Sequence, residues 1–315
     1  MIKIGVNNSH ELNDYKLVDG KYEYGKIPLN DLESKYIYIP MSVIVDTKLD
    51  IRRVAVFSYL RIHCGLNNVI NFTIPDAVEW CGGKPDRTVN GSNSKLLSTM
   101  DSLSDMGYLT YLTEKSRSSY MKCEFNSDYY YDDCSDGFAA IYLDEIEKIM
   151  SYKKSNLKDN TLNNAIILLV FAFIRNKIRR RPNELKPEER CSENIKSRRE
   201  RFPDAYSGSI IDMANEIGLS SKTFSKIIDI LECELNLIVT DRAYRIKNND
   251  DEFRTLPTIF ANTYKREYGY LLNTGTDYSR TEIELKAENM KQHYQGYKID
   301  KKKRKYKKKG ENANE

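Results

Sequence analysis

The longest apolar run of the chain, from Ala165 to Ile174, constrains the fold more than any other feature of the sequence. Ten consecutive residues are apolar, so a helix formed by them is apolar on every side and has to be buried. A membrane-spanning helix needs about 20 such residues, twice the length of this run. We therefore predict a central buried helix over residues 165–178, around which other elements pack.

The composition favours a helix-rich globular chain. Only 15 glycines and 8 prolines occur among 315 residues, whereas average usage of the two together is about 12%. The six cysteines show no Cys-x-x-Cys spacing, which indicates reduced thiols rather than disulfides or a zinc finger. No secretory signal is seen at the start of the sequence, so we expect a cytoplasmic protein.

The net charge of +4 is unevenly distributed along the chain. Residues 175–201 carry a net charge of +6 and residues 296–315 carry another +6, so the rest of the chain is acidic. Two concentrated basic segments on an acidic body favour a polyanionic partner. The tail is expected to be a disordered phosphate-binding arm, with these candidate contacts: Lys301, Lys302, Lys303, Arg304 and Lys305.

The hydrophobic periodicity predicts two successive sets of elements in a similar order. The first set is a strand at 36–40, a helix at 51–64, a strand at 72–74, a helix from Pro75, a helix at 93–106, and strands at 108–112 and 119–125. The second set is the buried helix, helices at 209–217 and from 221, and strands at 237–240 and 243–246 around an Asp241-Arg242 turn. Helices at 259–265 and 281–293 follow.

The order of helix, strand, helix, turn, helix and hairpin is that of a winged helix. We predict a mainly α fold with small β wings, formed by tandem winged helix-turn-helix domains and a basic C-terminal tail. The predicted segments are an N-terminal extension (1–33), a first winged-helix domain (34–150), a second (151–265) with a charged insertion (181–207), and a helical segment with a basic disordered tail (266–315).

The segment from Met213 to Phe224 has the spacing of a helix-turn-helix. Ala214 is a small residue where the two helices meet, and Gly218 suits a turn with positive φ. The exposed start of the second helix then carries these candidate DNA contacts: Ser221, Lys222, Thr223, Ser225 and Lys226. A three-helix packing unit that binds a protein, or nothing, has the same spacing.

The first set contains a stretched version of this motif, with Ala77 as its small residue and a long turn over residues 82–92. The candidate contacts are Asn93, Ser94 and Lys95 at the helix start, Lys84 and Arg87 in the turn, and Lys115 and Arg117 at the tip of the hairpin. In the second hairpin they are Arg242 and Arg245. Solvated loops with incidental bases are an equal alternative.

No catalytic constellation is found in the sequence. Gly20–Lys26 is close to a phosphate-binding loop, but Ile27 stands where a hydroxyl must bind Mg²⁺. The acidic residues at 132–136 resemble a calcium loop, with Leu143 where a bidentate glutamate is required. The three histidines are isolated and form no metal-binding pair. We expect a protein without enzymatic activity, cofactor or metal.

Two segments carry a resemblance to a known family. Lys35–Pro40, the Arg- and Val-rich helix after it, and the closing sequence Leu103–Leu109 resemble the N-terminal winged helix of replication initiators and replisome organisers from plasmids, phages and integrative elements of low-GC Gram-positive bacteria. Pro257–Lys265 is similar to stretches that follow the winged helix in such proteins. The resemblance covers residues 35–125 and 205–265 and implies DNA binding by the helix positions named above.

The leading hypothesis from the sequence is sequence-directed binding of double-stranded DNA in the initiation of replication of a mobile genetic element. There are two alternatives: a transcription regulator, and an adaptor that binds a replicative helicase or loader instead of DNA. The expected partner is double-stranded DNA, with host replication proteins and a second copy of the chain as further candidates. No membrane association is expected.

Overall fold

The computed structural model describes the chain in separate segments. The backbone is described for residues 15–18, 21–24, 36–65, 67–117, 119–134, 137–152, 164–178, 203–242, 244–247, 253–255, 257–263, 265–267, 270–272, 275–293 and 298–301. Side chains are described for residues 36–65, 67–117, 119–130, 133–134, 137–152, 164–178, 203–242, 257–263 and 279–290.

The described part of residues 1–152 is a mixture of helices and short strands. The elements are β1 Tyr15–Val18, β2 Lys21–Tyr24, β3 Tyr36–Pro40, α1 Met41–Val45, α2 Arg53–Ile62, β4 Val69–Thr73, α3 Ile74–Trp80, α4 Ser92–Asp105, β5 Leu109–Tyr111, β6 Tyr120–Phe125, α5 Ser127–Cys134, β7 Phe138–Tyr142 and α6 Leu143–Met150. The predicted first set of elements is present here, with ends shifted by a few residues.

These strands form small antiparallel sheets. β6 lies between β4 and β5, β3 pairs with β7, and β1 pairs with β2. β1 and β2 pair within the predicted N-terminal extension (1–33), and the strands flank Asp19 and Gly20, which are residue types typical of turns.

The rest of the described chain is also a mixture of helices and short strands. The elements are α7 Asn164–Lys177, β8 Ala205–Gly208, α8 Ile210–Glu216, α9 Ser221–Cys233, β9 Ile238–Asp241, β10 Tyr244–Lys247, β11 Phe253–Thr255, β12 Thr258–Asn262, β13 Lys265–Glu267, β14 Tyr270–Leu272, α10 Gly275–His293 and β15 Lys298–Lys301. β12 lies between β8 and β9, β10 lies between β11 and β15, and β13 pairs with β14. The chain is thus helical with small antiparallel sheets, as predicted.

Local sequence signals explain the limits of the elements around α4. The Thr73 hydroxyl accepts a hydrogen bond from the Asp76 N–H and caps α3, where Pro75 fits the first turn. Gly107 ends α4 with a φ of +96°. Alternate residues of β6 are buried, which leaves one face of the sheet in the core and one in solvent.

Helix α7 is the centre of the hydrophobic core. Its residues from Ile167 to Ile174 are buried, as the apolar run predicts. The helix packs against α2, α6, α9 and β7, and the Phe173 ring meets the Phe224 ring of α9 edge-on at 6.4 Å between centroids. One hydrophobic cluster extends from Ile37 to Phe260, so residues of both predicted domains share a core. The division into two domains stays a prediction.

A buried arginine joins the two halves of this core. The guanidinium of Arg53, whose residue is 1% exposed, donates from Nη2 to the Ile44 carbonyl oxygen at 2.7 Å and to the Ile217 carbonyl oxygen at 3.3 Å. Its Nε donates to the Val43 carbonyl oxygen at 3.0 Å. These carbonyls belong to the C-terminal ends of α1 and α8, where the helix dipole favours a positive charge. Arg53 therefore satisfies acceptors that would otherwise be buried without donors.

The predicted second hairpin is wrong. β9 pairs with β12, whereas β10 pairs with β11 and β15, so the strands on either side of Arg242 enter different sheets. The predicted helix at 259–265 is also wrong, because Thr258–Asn262 form the central strand β12.

The burial of β12 on both faces explains the error in the helix prediction. Phe260 joins the main core, while Ile259 and Ala261 pack against Ile283 and Ala287 of α10 in a second small cluster. Ile259, Phe260 and Ala261 are apolar at successive positions because the strand is covered on both faces, and so short an apolar run has no helix or strand periodicity.

Two further boundaries differ from the sequence prediction. The predicted charged insertion 181–207 overlaps β8 at residues 205–207, and β8 pairs with β12. Residues 179–202 lie outside the described residues. Lys298–Lys301 were assigned to the disordered tail but pair with β10 as strand β15.

Replacing Arg53 with methionine should lower the free energy of unfolding by about 3 kcal/mol, because buried carbonyl oxygens of α1 and α8 lose their donors. The Arg53→Lys protein should have an intermediate free energy of unfolding, because one ammonium group cannot reproduce the several N–H donors of the planar guanidinium. The measurement is chemical denaturation followed by far-UV circular dichroism. The matched control is Lys48→Met on the exposed surface, with a change within about 0.5 kcal/mol. An Arg53→Met protein as stable as wild type would contradict this role.

Candidate nucleic-acid interface

The first turn of α4 holds two separate parts of the chain. One is the 84–90 loop, which precedes the helix, and the other is the hairpin tip, residues 112–117 and 119 between β5 and β6. The Asn93 side-chain Oδ1 accepts from the Asp86 N–H at 3.1 Å, and its Nδ2 donates to the Arg117 carbonyl oxygen at 2.8 Å. The Asn93 N–H also donates to the Asp86 carbonyl oxygen at 3.2 Å. Asn93 is fully buried.

Other hydrogen bonds fold the 84–90 loop back onto the helix. The Ser92 hydroxyl donates to the Lys84 carbonyl oxygen, and the Ser94 hydroxyl donates to the Thr88 carbonyl oxygen at 3.0 Å. Within the loop the Asp86 carboxylate accepts from the Thr88 N–H at 2.9 Å. The hydrogen bonds from Thr88 lower the pKa of Asp86, so this carboxylate stays ionised. The loop therefore has a fixed shape over the helix start.

Gly91 allows the loop to approach α4 closely. A methyl group at this position would lie 2.5 Å from the Asp86 carbonyl oxygen, which is closer than any real contact allows. The backbone of Gly91 is extended rather than left-handed, with a φ of −74°. The requirement for glycine therefore comes from the close approach of the loop and not from backbone strain.

Four exposed bases surround this helix end, and they come from three places in the sequence. Lys84 and Arg87 lie in the loop, Lys95 lies on the first turns of α4, and Arg117 lies in the hairpin tip. Their segments are bound together by the hydrogen bonds of Ser92 and Asn93. Residues 84–95 and 112–117 together hold five bases and two acids, and one of the bases, Lys115, pairs with Asp101 of α4.

The sequence predictions for three residues of this surface change. The prediction that Asn93 faces outward is wrong, because Asn93, Leu96 and Met100 lie on the same buried helix face. Lys115 is exposed but engaged: its Nζ lies 2.7 Å from the Asp101 carboxylate and 4.6 Å from the centre of the Tyr111 ring. Ser94 is half-buried with its hydroxyl bound to the loop, so its polar group faces the protein.

The second candidate helix, α9, has its predicted packing. Ala214, Leu219 and Phe224 are buried, and Gly218 has a φ of +77°. The helix is capped by Ser220, whose hydroxyl oxygen accepts from the Thr223 N–H at 3.1 Å. The remaining candidates at this end are Ser221, Lys222 and Lys226, which are exposed, and Thr223 and Ser225, which are half-buried.

The C-terminal half of α9 is acidic. Asp229 accepts from the Arg242 guanidinium at 3.0 Å, and Glu232 accepts from the N–H and hydroxyl of Thr240, both at 2.7 Å. Arg242 is therefore an internal ion-pair partner of α9. Of Arg245 and Lys301 only the backbone is described, and Lys302, Lys303, Arg304 and Lys305 lie outside the described residues.

Sequence reasoning missed the inward role of Asn93 and the role of Arg53. The spacing of Asn93 with Leu96, Met100 and Leu103 places it on the apolar face of α4 and was the available signal. For Arg53, the signal was a charged residue at the start of the apolar run from Val54 to Phe57.

Within the segments that the structure describes, no group of three or more His, Cys, Asp or Glu side chains is arranged to hold a metal ion. None of the helices in those segments combines the length and the apolar character needed to cross a bilayer. Comparison with known proteins finds no matching family model, no similar curated protein and no similar solved structure.

Replacing Gly91 with alanine should lower the free energy of unfolding by about 1–3 kcal/mol, because the added methyl group displaces the Asp86 backbone from α4. Ser98→Ala, at an exposed position of the same helix, is the matched control and should change stability by less than about 0.5 kcal/mol. Urea denaturation of both variants checks the expectation. Equal stability of Gly91→Ala and wild type would show that the loop does not need this close approach.

Proposed function

We propose that this protein binds double-stranded DNA with the surface formed by the 84–90 loop, the start of α4 and the hairpin tip. The observation that carries the proposal is the gathering of Lys84, Arg87, Lys95 and Arg117 around one helix end. Lysine and arginine side chains bind phosphates and release counterions from the duplex. The partial positive charge at the N-terminus of α4 acts in the same direction.

The arrangement of elements supports assigning this unit as a winged helix. α2, β4, α3, α4 and the β5–β6 hairpin follow one another, and β4 pairs with β6. Under this assignment α4 is the helix that lies against the duplex and the hairpin tip is the wing. α8 and α9 form a second helix-turn-helix in this proposal, without a hairpin wing.

The two helix starts have different roles in the proposed complex. The bases around α4 bind phosphates and set the position of the protein on the duplex. The first turn of α9 presents Ser221 and Lys222 in exposed positions and no acidic side chain. Short hydroxyls and a lysine suit contacts to base edges in the major groove. We assign base recognition to α9 for this reason.

Initiation of replication of a mobile genetic element is the biological role that we propose for this DNA binding. It rests on the resemblance of residues 35–125 and 205–265 to replication initiators and replisome organisers. A transcription regulator uses the same contacts, and binding sites clustered within the protein's own gene would favour the initiator. An adaptor for a helicase or loader would not bind duplex DNA at low salt.

Fluorescence anisotropy with a labelled random-sequence duplex tests phosphate binding. The logarithm of the association constant should fall linearly with the logarithm of the salt concentration. Arg87→Ala and Arg117→Ala should each weaken binding and reduce the magnitude of the slope by about 0.9, because each removes one phosphate contact. Lys148→Ala, an exposed position on α6, is the matched control and should change neither quantity. No binding by the wild-type protein at low salt would contradict the proposal.

Removal of residues 302–309, which contain only bases and Tyr306, should weaken binding to all sequences alike and flatten the salt dependence. Lys222→Ala should instead reduce the preference for a selected site over random DNA, because Lys222 lies at the exposed start of α9. The measurement is competition between a duplex enriched by selection and the random pool. Equal losses on both duplexes from both changes would contradict this division of roles.

A further inference from the structure

We propose that Asn93 is a positioning residue of the DNA-binding surface, a role that rests on the proposed function. Its buried amide binds the 84–90 loop with one end and the hairpin tip with the other. It thereby fixes the bases of both segments relative to α4. The predicted ligand is the sugar–phosphate backbone of duplex DNA, contacted by all these bases at once.

The hydrogen bonds of Asn93 use the amide in a way that few side chains can reproduce. The carbonyl oxygen accepts from the Asp86 N–H while the Asn93 N–H donates to the Asp86 carbonyl oxygen, so the loop is held by a reciprocal pair. The amide nitrogen donates to the Arg117 carbonyl oxygen, 24 residues away in the sequence. Among side chains only asparagine and glutamine carry an amide, which places an acceptor oxygen and a donor nitrogen on one planar group.

The burial of this amide indicates that geometry is its contribution. Asn93 is fully buried on the face of α4 that carries Leu96 and Met100, where an apolar residue would also be covered. A buried polar group is tolerated when it is fully hydrogen-bonded. Thr99, which is also buried on α4, differs because its hydroxyl donates to the Lys95 carbonyl oxygen within the helix itself.

Preorganisation explains how Asn93 affects binding without touching DNA. A loop that is already in place loses less conformational freedom when it binds than a loop that must be ordered by the ligand. With both ties intact, Arg87 and Arg117 meet the duplex together with Lys95. When the side-chain hydrogen bonds of Asn93 are removed, each arginine keeps its charge. Its contact with DNA is then made independently of the other arginine, because the two segments are no longer held in fixed positions.

A double-mutant cycle measures this dependence. Affinity for a random-sequence duplex is measured by anisotropy at about 50 mM salt for the full chain. Arg87→Ala and Arg117→Ala are each made in wild type and in Asn93→Ala. We expect Asn93→Ala alone to weaken binding about tenfold. In the Asn93→Ala background, the loss of affinity caused by each arginine substitution should be at most half of its value in wild type, because the effects of coupled residues are not additive.

Two more backgrounds separate the two ties. Asn93→Asp keeps the acceptor for the Asp86 N–H but loses the donor to the Arg117 carbonyl oxygen. It should reduce the cost of Arg117→Ala and leave the cost of Arg87→Ala unchanged. Gly91→Ala, which displaces the loop and leaves Asn93 in place, should do the opposite. If Asn93→Ala does not fold, these two variants carry the test.

Thr99→Ala is the matched control, because it removes a buried hydrogen bond from α4 without touching the loop or the hairpin tip. The cost of each arginine change should be the same in Thr99→Ala as in wild type. Additive effects in every background would overturn the role of Asn93 while leaving the proposed function standing. A smaller effect of the arginine substitutions in Thr99→Ala than in wild type would also overturn the role of Asn93. Absence of wild-type binding would overturn both proposals.

Discussion

Arg53 places a charged guanidinium where the C-terminal ends of α1 and α8 meet, and the arrangement of the two halves depends on this contact. Its hydrogen bonds to Ile44 and Ile217 join residues that are more than 160 positions apart in the sequence. The apolar helix α7 supplies the hydrophobic surface that both halves share. The arginine adds direction to that packing, because hydrophobic contacts alone do not fix how two helix ends are oriented.

Asn93 joins two segments beneath the candidate DNA-binding surface, as Arg53 joins two segments of the core. Each is a buried polar side chain that binds main-chain groups from two separate segments. Because the partners are main-chain groups, these hydrogen bonds fix the position of the backbone without using neighbouring side chains. The exposed side chains of the same segments remain available for a ligand. In the proposed complex Arg87 and Arg117 bind phosphates, while the buried side chain of Asn93 positions their segments.

The sequence predicted the helices that have a clear period or a long apolar run, and it failed for the short buried run of β12. The heptad-like spacing in α4 and the continuous apolar run of α7 each predict the observed helix. Thr258–Asn262 are covered on both faces, and their short apolar run fits a helix as well as a strand. The pairing of Ile238–Asp241 with that strand depends on contacts between distant segments, which local patterns do not contain. The outward position of Lys222 was predictable, whereas the inward position of Asn93 required the apolar face to be extended by one turn.

Hydrogen–deuterium exchange of the full chain with and without a DNA duplex tests most directly whether the surface around α4 binds DNA. DNA should slow amide exchange in residues 84–95 and 112–117 and leave α10, which packs on β12, unchanged. Protection limited to α10, or no protection near α4 under conditions where the duplex is bound, would contradict the account.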